Sequence, residues 1–134
     1  MEKVTKSEQE WRQELSPEQY AVLREAGTER PGTGALLHTT ADGTYRCGAC
    51  GNELFDSETK FDAHCGWPSF YEAKPGSVEF IEDTSHGMTR VEVRCARCDS
   101  HLGHVFDDGP APTGARFCMN SLALSFDEQG AGGS

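Results

Sequence analysis

Two Cys-x-x-Cys pairs, Cys47-Gly48-Ala49-Cys50 and Cys95-Ala96-Arg97-Cys98, constrain this chain more than any other feature. Two residues between cysteines let a tight turn aim both sulfurs at one ion, and Gly48 and Gly51 ease that turn in the first pair. Four thiolates saturate a tetrahedral zinc ion, so Cys47, Cys50, Cys95 and Cys98 predict a structural Zn2+ clip, with no open position for a reactive water. Residues 51–94 lie between the pairs. That is far more than the ~15–20 residues of the commonest zinc ribbons, so the ion ties together distant parts of the chain. Only 36% of residues are hydrophobic, and in so lean a core the energy of metal binding becomes folding energy. The rival reading, a thioredoxin-like dithiol, needs a βαβ context that the sequence lacks.

Charge and length narrow the rest. The 134 residues are expected to form a single domain over 1–134. Lys and Arg number 12 and Asp and Glu 22, a formal charge of −10, which repels nucleic acid and anionic membranes alike. No apolar run approaches the ~20 residues of a membrane span, and the stretch Met1–Trp11 lacks the apolar centre of a secretory signal. The expected compartment is the cytoplasm, where six cysteines do not form a disulfide framework.

Residues 1–30 read as a helical cap. Ser7 with Glu10 and Ser16 with Gln19 form two capping boxes, Pro17 occupies a first helical position, and the second helix is expected to stop at Gly27. From residue 31 onward short apolar runs punctuated by Gly, Pro and Asp give strand texture. Asp42-Gly43 predicts a hairpin between Leu36–Thr40 and Thr44–Arg46. A second hairpin is expected between Val78–Asp83 and Met88–Arg94, the latter alternating Val91 and Val93 with Arg90, Glu92 and Arg94. In the last strand region, Arg116–Phe126, the apolar parity switches between Phe117 and Leu122, which predicts a bulge or bend at Asn120-Ser121. Residues 127–134 are expected to be a disordered tail, Gly-rich from Gln129.

Cys65 and Cys118 remain once the ion takes four thiols. Each could be a small buried hydrophobe. Their neighbours suggest more: Cys65 lies in the stiff aromatic run His64-Cys65-Gly66-Trp67-Pro68-Ser69-Phe70, and Cys118 shares a strand face with Arg116 and Asn120. A nearby cation favours the nucleophilic thiolate. His101 and His104 add two imidazoles able to move protons near neutral pH. These residues leave three classes open: a reductase, a zinc-stabilised binding module with inert thiols, and a thiol redox sensor.

At these residues the sequence resembles methionine-R-sulfoxide reductase, the B-type methionine sulfoxide reductase. The resemblance runs in order through Cys47–Cys50, Lys60-Phe61 to Tyr71, Ser85-His86-Gly87-Met88, Arg94–Cys98, His101–Pro110, Pro112-Thr113-Gly114 and Arg116–Ser121. It implies a mainly β fold of two small antiparallel sheets with short N-terminal helices, and a structural zinc. It implies that Cys118 attacks the sulfoxide sulfur and becomes a sulfenic acid, and that Cys65 then forms a disulfide with it. His104, aided by His101, would protonate the sulfoxide oxygen, while Asn120 and Arg116 hold the oxygen or the thiolate. Trp67 and Phe106 would wall the substrate methyl group. Implied partners are oxidised proteins carrying the R epimer and thioredoxin as reductant, with the enzyme a monomer. Two departures stand out: Phe117 replaces a frequent Tyr, and Ala63-His64 replaces a Ser-Gly pair.

Overall fold

A computed structural model describes residues 4–30, 32–84, 87 and 89–128. The expected Gly-rich tail from Gln129 and the motif residues Ser85, His86 and Met88 lie outside the described residues.

Both N-terminal helices begin where the capping boxes place them. Helix α1 spans Glu8–Glu14 with Ser7 and Glu10 reciprocally bonded, and α2 spans Pro17–Leu23 with Ser16 and Gln19 doing the same. Helices of two turns are marginal alone. These are held by burying Trp11, Tyr20, Val22 and Leu23. The Arg24 guanidinium lies 4.8 Å over the Trp11 ring and donates to the Cys98 carbonyl at 2.8 Å, fastening the cap to the second cysteine loop. The second helix stops at Leu23, short of the expected Gly27. Ala26 takes the left-handed turn with φ 57°. Gly27 is instead needed for close approach, since a Cβ there would meet the Ala21 carbonyl oxygen at 2.9 Å.

The strands run in chain order: β1 Gly43–Cys47, β2 Glu53–Asp56, β3 Lys60–Phe61, β4 Ser69–Phe70, β5 Val78–Asp83, β6 Arg90–Cys95, β7 His101–Phe106, β8 Arg116–Met119 and β9 Leu124–Glu128. They form two antiparallel sheets, one ordered β2-β1-β9 and one ordered β3-β4-β8-β7-β6-β5. The aromatic core lies between them. Tyr45 and Phe55 of the small sheet pack on Phe70 and Phe117 of the large one, with Phe55 and Phe70 stacked at 4.4 Å.

The β5–β6 hairpin forms as expected, with Phe80 opposite Val93 and Asp83 opposite Arg90. The Asp42-Gly43 hairpin does not. Residues 35–38 make turns, and β1 pairs forward with β2 through the Cys47–Cys50 loop. Gly43 lies opposite Glu128, where a Cβ would collide with the Asp127 carbonyl oxygen. The glycine thus serves strand approach, and Asp42-Gly43 is a false turn signal. The expected break at Asn120-Ser121 is present in stronger form. A 3-10 turn, Ser121–Ala123, carries the chain from β8 in one sheet to β9 in the other. β9 continues through Asp127 and Glu128, two residues assigned to the tail on sequence. Among the described residues, no helix is long and apolar enough to cross a membrane.

Candidate active site and metal centre

The two cysteine loops are built alike. β1 ends at Cys47 and β6 at Cys95. In the first loop the Gly51 N–H donates to the Cys47 carbonyl, and in the second Asp99 donates to Cys95, both at 2.9 Å. Gly51 and Asp99 take left-handed φ values of 82° and 62°. The Ala49 and Arg97 N–H groups point at the Cys47 and Cys95 sulfurs, both at 3.4 Å. All four Sγ atoms lie within 4.8 Å of one another, with Cys47–Cys98 at 3.7 Å and Cys50–Cys95 at 3.6 Å. Sulfurs about 2.3 Å from one ion at tetrahedral corners stand about 3.8 Å apart. The quartet therefore fits a single four-coordinate ion of thiolate-binding character, and it joins the end of the small sheet to the end of the large one.

The second site lies on one face of the large sheet. Register places Ser69, Cys118, His104 and Glu92 side by side across β4, β8, β7 and β6. β8 and β7 come close there because residue 103 is glycine: a Cβ would strike the Cys118 carbonyl oxygen. Cys118 is 9% exposed. Its Sγ lies 3.2 Å from the Cys65 Sγ, and Ser69 Oγ lies 3.3 Å from Cys65 and 3.7 Å from Cys118. The Arg116 Nη1 donates to the Cys118 Sγ at 2.9 Å, while its Nε and Nη2 grip both oxygens of Asp108 at 2.7 and 3.1 Å.

The two thiols titrate as a pair. Burial, then the adjoining Cys65, push the Cys118 thiol up to about 11 against the pull of Arg116. Burial also acts to raise Cys65, but hydrogen bonds from Ser69, Cys118 and the Trp67 backbone outweigh it and hold it below its ordinary value. Of the two, Cys118 is the thiol that holds its proton more tightly. The pull of the cation toward thiolate is opposed here by burial and by Cys65.

A small cleft of about 90 Å³ opens on Cys118, lined by Thr28, Trp67, Arg90, His104, Phe106 and Asn120. Trp67 and Phe106 give it apolar walls. The Trp67 indole is fixed by donating to the Glu29 carbonyl at 3.1 Å, and Phe106 by the Arg116 guanidinium 4.5 Å above its ring. Asn120 is buried, and its amide is engaged by backbone: Oδ1 accepts from the Glu29 N–H and Nδ2 donates to the Leu102 carbonyl, both at 3.0 Å. It braces the wall.

The imidazoles differ. His104 borders the cleft, with Nε2 at 2.9 Å from Asp83 Oδ2. His101 is 5% exposed and stands behind it, the rings 5.4 Å apart. Its Nδ1 contacts Glu92 Oε2 at 2.7 Å. Burial lowers the His101 pKa even though Glu92 works the other way.

Sequence reasoning missed Glu29, Ser69, Asp83, Glu92 and Asp108 as members of this site. Glu92 is 8% exposed, although its alternation with Val91 and Val93 reads as a solvent-facing position. Ser69 and Asp108 were reachable through the motifs that contain them. Glu29 carries no local signal, because its partners lie at Trp67, Asn120 and Leu122.

The SelR domain family matches residues 15–128. The chain is 62% identical over 128 residues to peptide methionine sulfoxide reductase MsrB of Leifsonia xyli subsp. xyli, covering 94% of this chain and 92% of that protein. It is 57% identical over 126 residues to the MsrB of Agrobacterium fabrum, covering 93% of each. It is also 57% identical over 130 residues to that of Methanosarcina barkeri, covering 95% and 92%. Among solved structures, the Mis18 'Yippee-like' domain superposes with a TM-score of 0.52 at 17% identity. That match spans 65% of this chain and 96% of that one, a likeness of fold alone.

Proposed function

The chain belongs to the SelR family and is a peptide methionine sulfoxide reductase, and on that footing we propose how it works: Cys118 attacks the R epimer of methionine sulfoxide in oxidised proteins, Cys65 resolves the product, and thioredoxin resets the pair. The observation that carries this reading is the 3.2 Å approach of the two sulfurs beside the Arg116 guanidinium.

Substrate seats its S-methyl group against Trp67 and Phe106 and turns its oxygen toward His104. An apolar wall on one side and polar donors on the other distinguish the two epimers, and nature uses one enzyme per epimer. The Cys118 sulfur bonds to the electron-poor sulfoxide sulfur as its proton passes through His104 to the oxygen. A positioned acid here contributes ~10²–10⁴-fold. His104 is assigned this role over His101 because it borders the cleft and lies opposite Cys118 in register. His101 supports it from behind. The products balance as methionine and the Cys118 sulfenic acid. Cys65 then attacks that sulfur, forming the disulfide and releasing water. A dithiol returns two electrons and two protons by exchange. Asn120 and Arg116 hold the cleft and the reacting sulfur in place.

Zinc is the ion we assign to Cys47, Cys50, Cys95 and Cys98, since a d¹⁰ ion with four thiolates suits a closed structural site. It supplies a fixed joint between the sheets and no step of the reaction. We place the enzyme in the reducing cytoplasm as a monomer, with a −10 charge that disfavours nucleic acid and membrane surfaces.

The test is a single turnover of reduced, metal-loaded protein with each epimer. Loss of two thiols and release of one methionine with the R epimer alone is expected. Turnover with the S epimer alone, or with peroxide but neither epimer, overturns the reading.

A further inference from the structure

We propose that Asp83 is a positioning residue of this reductase: it holds His104 through Nε2, leaves Nδ1 to serve the reacting atoms, and stabilises the imidazolium that forms in transit. The inference rests on the reading of His104 as proton carrier given above.

Asp83 closes β5 and His104 lies on β7, so their 2.9 Å bond reaches across the intervening strand β6. The same oxygen of Asp83 accepts from Arg90 Nη2 at 3.3 Å, which fixes the carboxylate. The side chains of His104 and Asp83 are only 13% and 21% exposed, so salt screens their interaction less than a surface pair. An imidazole bonded to a carboxylate through one nitrogen has its tautomer set by that bond. With Nε2–H donating to Asp83, the neutral ring keeps its free lone pair on Nδ1.

His101 also has a carboxylate, Glu92, on one nitrogen. Its other nitrogen is buried and has no hydrogen-bond partner among the described residues, and the ring does not line the Cys118 cleft. His104 alone of the two combines a carboxylate with access to the cleft. Among the described residues, the charged and titratable groups around it are Asp83 from β5, Arg90, Glu92 and Arg94 from β6, His101 from its own strand, and Cys118 from β8. Of the carboxylates among these, Asp83 is the one bonded to the His104 ring. The Cys118 proton moves to Nδ1 and on to the sulfoxide oxygen. The imidazole ends as it began, no further proton is consumed, and Asp83 takes none up.

The experiment compares single-turnover rates with a peptide carrying R-methionine sulfoxide for Asp83→Asn, Asp83→Glu, His104→Ala and the double variant His104→Ala with Asp83→Asn, each with its metal content measured. Asp83→Asn is expected to slow methionine formation about 10–100-fold with KM within twofold, and Asp83→Glu to recover part of the loss. In the His104→Ala background the Asn substitution is expected to change the rate less than twofold, because both changes remove one interaction. Nitrogen-15 spectra are expected to show His104 as one tautomer in the parent and a mixture in Asp83→Asn. A parent rate in Asp83→Asn, equal losses in the Asn and Glu variants, or full additivity in the double variant overturns the inference. Should His104→Ala itself react at the parent rate, the proton-carrier reading fails instead.

Discussion

The Cys65 and Cys118 sulfurs stand 3.2 Å apart, with Ser69 Oγ within 3.7 Å of both. A disulfide needs about 2.05 Å, so closure takes a shift of roughly one ångström. Cys118→Ser is accordingly expected to abolish methionine formation. Cys65→Ser is expected to yield one methionine per chain and then stall with thioredoxin, as chromatographic counting of methionine over successive turnovers would reveal. Normal recycling by Cys65→Ser would falsify the resolving role.

The pH behaviour of the pair gives a second check. Cys118 is pushed up to about 11 by burial and then by Cys65. Removing Cys65 deletes the second cause, so in Cys65→Ser the Cys118 midpoint is expected to fall below that value. Removing Arg116 deletes an opposing pull, so in Arg116→Met it is expected to rise further. Thiolate ultraviolet absorbance during an alkaline titration reports both directions. In the parent, alkylation near neutral pH is expected at Cys65 first, because its pKa is the one lowered.

Metal removal tests the joint between the sheets. Structural zinc contributes about 10–16 kcal/mol of apparent binding free energy, whereas whole domains are stable by only about 5–15 kcal/mol. Chelation or Cys95→Ser is therefore expected to abolish cooperative unfolding and release one ion per chain, monitored by circular dichroism and a metal-responsive dye. A Cys95→Ser protein that is metal-free and melts like the parent would contradict the clip.

His64 occupies a left-handed turn with φ 56°, immediately before Cys65, and its side chain is 85% exposed. A side chain there costs roughly 1–2 kcal/mol, partly returned by glycine's larger entropy loss. His64→Gly is expected to stabilise the protein by about 0.5–1 kcal/mol, measured as a raised urea midpoint at unchanged slope. The glycine that the family resemblance places at this position thus has a backbone reason.

Patterns confined to a few consecutive residues were legible from sequence. The capping boxes at Ser7 and Ser16, the twin cysteine loops and the β5–β6 hairpin each express chemistry within one or two turns of chain. Other features depend on what packs against a residue from afar. Asp42-Gly43 has the composition of a hairpin turn, yet Gly43 is fixed by β9. Arg90, Glu92 and Arg94 alternate with valines as a wet face would, yet that face forms the wall behind the two imidazoles. Glu29 meets Asn120 across 91 positions, a separation at which local patterns carry nothing. Cys65 and Cys118 were recognisable as a candidate pair, but their spacing depends on β4 lying against β8.

The pairing of β1 with β9 has a bearing on how the protein is made. Residues 43–47 cannot complete their small sheet until residues 124–128 have left the ribosome. Both cysteine loops emerge earlier, so ion capture can precede the final strand. A nascent chain starved of metal would thus display unpaired thiols and an open strand edge together, the combination most exposed to wrong disulfides and to clumping with its neighbours.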